Sequence, residues 1–161
     1  MDCENDHEEH RRYDAVLRHV VCRHGKALPG SACQATSFSS IAPLFRSPDG
    51  AIASSGSQTT SVTCPVTKDI EAGRLKRAEI KVVDVNPTAD VTCTMATIKS
   101  DGALHQSQTR SSNGSSNLVQ TLRFTGHTAA AKGVFSLVCA LPAFAPGFGA
   151  SHIVLYNVVE E

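Results

Sequence analysis

Cysteine placement constrains this chain more than any other feature. Cys33, Cys64, Cys93 and Cys139 are widely spaced, and none forms a C-x-x-C pair, which argues against a zinc ribbon or a thioredoxin-like site. Three of them sit inside strand-like runs: Ser61 to Val66, Val91 to Met95 and Phe135 to Leu141. Period-two counting puts Cys93 on one face with Val91 and Met95, and Cys139 on one face with Phe135, Leu137 and Leu141. Both then point into a core. Inward cysteines on separate strands suit buried disulfides in an extracellular sandwich. Four cysteines allow three pairings, of which Cys33–Cys64 with Cys93–Cys139 is favoured here. The competing reading is four reduced cysteines packed as small hydrophobes, in a cytoplasmic β protein.

Around those cysteines the chain reads as about eight strands: 33–45, 57–66, 76–85, 90–99, 103–110, 117–125, 132–141 and 151–159. Turn residues separate them, including Pro48-Asp49-Gly50, Asn86-Pro87, Asp101-Gly102 and Asn113-Gly114. Few segments carry a helical period; Lys68 to Leu75 is a candidate interrupted by Gly73. The fold class is therefore all-β, an antiparallel β-sandwich of jelly-roll type. Alternation assigns Leu118, Leu122 and Phe124 to one face of their strand, with Val119, Thr121 and Arg123 opposite. It groups Ile153, Leu155 and Val159 in the last strand. The run Ser111 to Ser116 reads as a solvated hairpin tip.

A composition break divides the chain near Pro29-Gly30. Residues 1–30 contain no Ser or Thr, whereas residues 31–161 contain 17 Ser and 13 Thr. The expected organisation is a charged N-terminal arm, 1–30, disordered or briefly helical and not necessarily native to the domain, followed by a β-sandwich domain, 31–161. Arg18, His19, Arg23 and His24 interrupt every apolar stretch long enough for a secretory signal. Yet Gly30-Ser31-Ala32 ahead of Cys33 has the small-x-small form of a signal-peptidase site, so a misassigned start that replaces an export signal is the favoured account.

The elements Ser31-Ala32-Cys33, Val62-Thr63-Cys64-Pro65-Val66, Ile80 to Asp84, Val91-Thr92-Cys93-Thr94, Phe135 to Pro142 and the terminal strand with Ile153, Tyr156 and Val158 form one pattern. Over residues 31–161 it resembles uncharacterised secreted or periplasmic Ser/Thr-rich β-sandwich proteins of proteobacteria. The resemblance implies export and a small β domain, and it carries no activity.

Charge and motifs remove several function classes. Lys+Arg and Asp+Glu both number 15, so no basic excess points to nucleic acid. No apolar run approaches a transmembrane length. In the arm, His7-Glu8-Glu9-His10 misses the H-E-x-x-H spacing. Asp84, Asn86, Asp90 and Asp101 lack the glycine and closing glutamate of a calcium loop. There is no G-x-S-x-G, and His105, His127 and His152 stand in ordinary polar contexts. No catalytic residue, cofactor or metal ligand is assigned. The chain has no Trp and few aromatic residues, which lowers a sugar-stacking reading. One loop stands out: Pro142 to Ser151 holds Phe144 and Phe148 among Gly and Pro. Folding under as a core plug is the default for the rings; exposure would make the loop a contact site for a protein or hydrophobic ligand. The expected function is non-enzymatic, an exported protein with a binding or structural role at the envelope or outside the cell. The alternative is a carbohydrate-active module or enzyme fragment.

Overall fold

Strand pairing in the computed structural model, which describes residues 24–36, 44–68, 74–128 and 132–160, gives two antiparallel sheets packed face to face. The strands are β1 (His24–Pro29), β2 (Gln34–Ala35), β3 (Leu44–Arg46), β4 (Ile52–Ser54), β5 (Thr60–Cys64), β6 (Arg74–Asp84), β7 (Thr92–Ile98), β8 (Leu104–Ser111), β9 (Ser116–Thr128), β10 (Val134–Leu141) and β11 (His152–Glu160). One sheet runs β3-β4-β11-β6-β9, with β1 also paired to β11; the other runs β2-β5-β10-β7-β8. The protein is an antiparallel β-sandwich.

The core lies between the sheets and follows the alternation of each long strand. β7 buries Cys93, Met95 and Thr97, β10 buries Phe135, Leu137, Cys139 and Leu141, and β6 buries Ala78, Ile80 and Val82. Disulfides join Cys33 to Cys64 and Cys93 to Cys139. Cys93 and Cys139 are direct partners across β7 and β10, so this bridge staples neighbours within one sheet on its inner face.

Several expectations are corrected. The sandwich begins before residue 31: β1 pairs with β11 from His24↔Glu160 to Pro29↔Leu155, inside the stretch read as an arm. Gly30 is then buried in a 3-10 turn, because a Cβ there would stand 2.1 Å from the carbonyl oxygen of Ile153. The rest of the arm, with Cys3, His7, His10, His19 and Cys22, lies outside the described residues. So do 69–73 of the helix candidate, while Leu75 belongs to β6. The first expected strand is divided between β2 and β3, and β4, whose three residues are all buried, shows no alternation to read.

Bulges account for the inward and outward assignments that differ. Between Ile153 and Leu155 the register of β11 shifts, so Tyr156 and Val158 reach the core while Leu155 and Val159 do not. The shift between Val83 and Asp84 takes Leu118 out of the β6–β9 ladder and leaves it 76% exposed. Ser112 is buried rather than solvated: its hydroxyl donates to Asp84 Oδ2 and accepts from the Val91 amide at 2.9 Å.

Candidate functional site

Register places residues of three strands side by side on the outer face of the six-stranded sheet. Phe45 of β3 pairs with Ala53 of β4, and Ala53 with His152 of β11. Strands are about 4.8 Å apart, so the backbones carrying Phe45 and His152 are about 9–10 Å apart. Between them lie only alanine methyls, Ala53 of β4 and Ala51 just before that strand. Large, small, large across three strands leaves a groove. Phe45, Ser47, Asp49, Ala51, Ala53, Ala150 and His152 enclose a cavity of about 260 Å³. That lies under the 300–1,000 Å³ of drug-sized pockets, and it suits one ring of a ligand that extends beyond it.

The polar groups of the groove come from the β3–β4 turn and the start of β11. In the turn, Gly50 N–H donates to the Ser47 carbonyl at 3.0 Å, and Gly50 adopts φ of +89°, which favours glycine. The Ser47 hydroxyl accepts from the Ala51 amide at 3.1 Å and donates to Asp49 Oδ1. That side-chain hydrogen bond is the main reason the Asp49 carboxyl lies below its ordinary range, with backbone amides adding to it and His152 adding least. Asp49 is therefore an ionised acceptor at neutral pH. His152 Nδ1 donates to the Ala150 carbonyl at 3.1 Å, which fixes the ring with its Nε2 edge turned away from that bond. Phe45 is 58% exposed and offers a ring face as one wall.

The loop that ends in Ala150 borders this groove. Its rings are not a core plug: Phe144 is 44% and Phe148 59% exposed. The loop has no slack to fold under. Phe144 N–H donates to the Gly56 carbonyl at 2.8 Å, Asn86 Nδ2 donates to the Ala143 carbonyl at 2.9 Å, and residues 145–149 close on themselves through Ala145 N–H to Gly149 O and Phe148 N–H to Ala145 O. The cysteines assigned from the sequence are in the two disulfides, away from the groove lining.

Other polar clusters are structural. Asp84 is buried, with Oδ1 taking the Ser151 hydroxyl at 2.7 Å and the Asn86 amide at 3.1 Å, and Oδ2 taking Ser112 and the Val91 amide. Its acceptor capacity is used in tying β6 to three neighbouring segments. Asp90 is exposed, and Asp101 accepts from Ala103 N–H in its turn. Among the described residues no three His, Cys, Asp or Glu side chains converge, and no helix is long and apolar enough to cross a membrane. Tyr156 OH donates to the Pro65 carbonyl at 2.8 Å, and burial pushes its phenol up to about 12. His127 is fully buried and neither ring nitrogen has a hydrogen-bond partner among the described residues; burial lowers its pKa.

The outer face of the five-stranded sheet has another character. One row across it reads Gln34, Thr63, Val138, Thr94, Thr109. The next reads Ser61, Ala140, Thr92, Ser111, and a third reads Ser136, Ala96, Ser107. Hydroxyls pair across strands, Thr92 with Ser111 and Thr94 with Thr109, both at 2.9 Å. None of these rows contains a charged residue.

No family model matches the sequence, and no curated protein matches it. Among solved structures the chain is similar to a family two carbohydrate esterase from Cellvibrio japonicus, with 10% identity and TM-score 0.45, over 87% of this chain and 34% of that one. It thus spans about a third of the esterase. It is also similar to a low-affinity xylan-binding module from Roseburia intestinalis, with 10% identity and TM-score 0.48, over 86% of this chain and 96% of that one. A family 6 carbohydrate-binding module gives 14% identity and TM-score 0.46, over 81% and 90%. Likeness of this degree concerns strand arrangement and carries nothing about activity.

Proposed function

We propose that this β-sandwich is an exported, non-catalytic binding module that takes one ring of a carbohydrate chain in the groove between Phe45 and His152. The groove itself carries the reading: one aromatic wall, an alanine floor and a small number of acceptors at the rim. A sugar ring is a flat body with apolar C–H faces and hydroxyl donors at its edge. Its faces suit Phe45, and its hydroxyls suit Asp49 and the Nε2 edge of His152. A site this small, built on Phe rather than Trp or Tyr, binds weakly and gains by repetition. The two disulfides support an oxidising compartment. The exposed Phe144 and Phe148, on the loop that ends at the groove, support a second contact for the rest of the chain.

Calorimetric titration with soluble neutral hexasaccharides (cellohexaose, xylohexaose and laminarihexaose) tests the reading. Phe45→Ala and the groove-filling Ala53→Leu should each weaken binding of the best ligand at least tenfold, or about 1.4 kcal/mol. Phe144→Ser with Phe148→Ser should weaken it less and shift stability by under about 0.5 kcal/mol, since both rings are exposed. No binding by the wild type, or full binding by both groove variants, refutes the proposal.

A further inference from the structure

The five-stranded sheet presents a solvent face that the groove does not explain. Solvent-facing strands ordinarily carry charge, which keeps sheets soluble and blunts pairing. The other sheet follows that habit, with Glu79 bonded to Arg123 at 3.0 Å and with Lys81 bonded to Thr121. On the five-stranded sheet three successive rows have none, and the fourth is apolar, with Val134, Ile98 and Leu104 paired in line. Val134 is 56% and Leu104 60% exposed. Side chains across the rows are short and nearly equal in length, so the surface is level. Four of its hydroxyls pair across β7 and β8, Thr92 with Ser111 and Thr94 with Thr109, which lowers the side-chain entropy left to be lost there.

Charge and area select the occupant. A face without charge offers nothing to nucleic acid, to an anionic membrane or to a charged protein surface. The twelve positions of the three uncharged rows, each about 4.8 Å by 6.8 Å, cover about 400 Å². A stable dimer needs about 800 Å² from each partner, roughly twice this patch. We propose that the outer face of the five-stranded sheet, centred on Thr63, Val138, Thr94 and Thr109, docks on the surface of an insoluble uncharged polysaccharide. Paired hydroxyls meet its hydroxyl rows, and the Thr and Val methyls meet its C–H faces. This contact stands apart from the Phe45 groove, which takes a single ring of a soluble chain.

Depletion of the oxidised protein from solution by microcrystalline cellulose, chitin, insoluble xylan and mannan tests the proposal. Wild type should be retained by at least one of them, with retention insensitive to salt. Thr94→Lys with Thr63→Lys should lower the partition coefficient at least fivefold, whereas Thr94→Ser should keep it. Should the double variant fail to fold by circular dichroism, Thr109→Lys with Ser107→Lys on edge strand β8 carries the same expectation. Phe45→Ala should leave retention intact while weakening binding of soluble hexasaccharides at least tenfold, so the groove and the sheet face fail separately. Retention by none of the four solids, retention unchanged in the lysine variants, or sedimentation as a stable dimer that the lysine variants break would overturn the proposal.

Discussion

Removing the disulfides probes the architecture most directly. Cys33–Cys64 spans 31 residues and Cys93–Cys139 spans 46, and the two loops do not overlap. Each bridge therefore restricts a separate part of the unfolded chain, and the effects add. Loop-closure entropy gives about 3.7 kcal/mol for the shorter and about 4.0 kcal/mol for the longer at 25 °C. Replacing a pair by alanine also deletes two buried sulfur atoms, since all four cysteines are at most 1% exposed. Each pair of Cys→Ala substitutions should then cost about 4–5 kcal/mol, and both pairs about 8 kcal/mol or more. Domains of this kind hold about 5–15 kcal/mol in total. Fully reduced protein should therefore sit near or below its folding threshold at 37 °C. Urea unfolding of wild type with and without reductant, and of each double variant, gives the numbers. A reduced wild type within about 1 kcal/mol of the oxidised form would refute the reasoning.

Two further outcomes follow from the fold. Gly30→Ala should destabilise by about 2 kcal/mol or more, because the added Cβ meets backbone, the Ile153 carbonyl, at 2.1 Å and one strand must shift; a thermal midpoint within 2 °C of wild type would contradict this. His127 gives a pH dependence whose sign is fixed: its folded pKa lies below the ordinary 6.5, so the unfolded chain binds the proton more readily, and stability present above about pH 6.5 is lost as pH falls below it. Urea midpoints at pH 7.5 and 5.0 should differ in wild type and differ less in His127→Leu. Asp49, whose lowered carboxyl keeps its stabilising effect until pH falls below about 3.8, does not enter that window.

Sequence periodicity was a reliable guide where strands run unbroken. β7 and β10 alternate without interruption, so the inward faces of Cys93, Met95, Leu137 and Cys139 could be counted off two by two. The same counting fails at bulges, because one extra residue exchanges the faces for everything beyond it. That is why alternation groups Ile153 with Leu155 and Val159, whereas Ile153 shares the core with Tyr156 and Val158. Short elements fail differently. β4 has too few residues to show a period, and β1 lies in a stretch whose charged composition masks its pairing. The groove was illegible for a third reason. Phe45, Ala53 and His152 come together only through the registers of β3, β4 and β11, which no local pattern encodes. The available signal was small: Pro48-Asp49-Gly50 as a hairpin turn, with Phe before it and alternating alanines after it.

His127 shows how far such a bulge can reach. At the start of β6 the ladder with β11 steps from Val159↔Arg77 to Glu160↔Leu75, so the register shifts by one residue at Lys76. On the other flank Gly126, between the Thr125↔Arg77 and His127↔Leu75 pairs, takes φ of +74°. Without these interruptions Leu75 and His127 would fall on the outward face of Arg77 and Thr125, whereas Glu160 keeps the inward parity of Tyr156 and Val158. With them all three residues are buried. Leu75 gains from burial, while an imidazole with no partner loses hydration. The Gln106 side chain fastens the backbone on both sides of His127, its amide donating to Gly126 O at 3.3 Å and its carbonyl accepting from Thr128 N–H at 3.3 Å. Those two bonds hold the inward turn in place, so the cost of burying His127 falls on the chain and burial holds the ring's pKa below its ordinary value. The same geometry that fills the end of the core with Leu75 thus makes that end the acid-sensitive part of the sandwich.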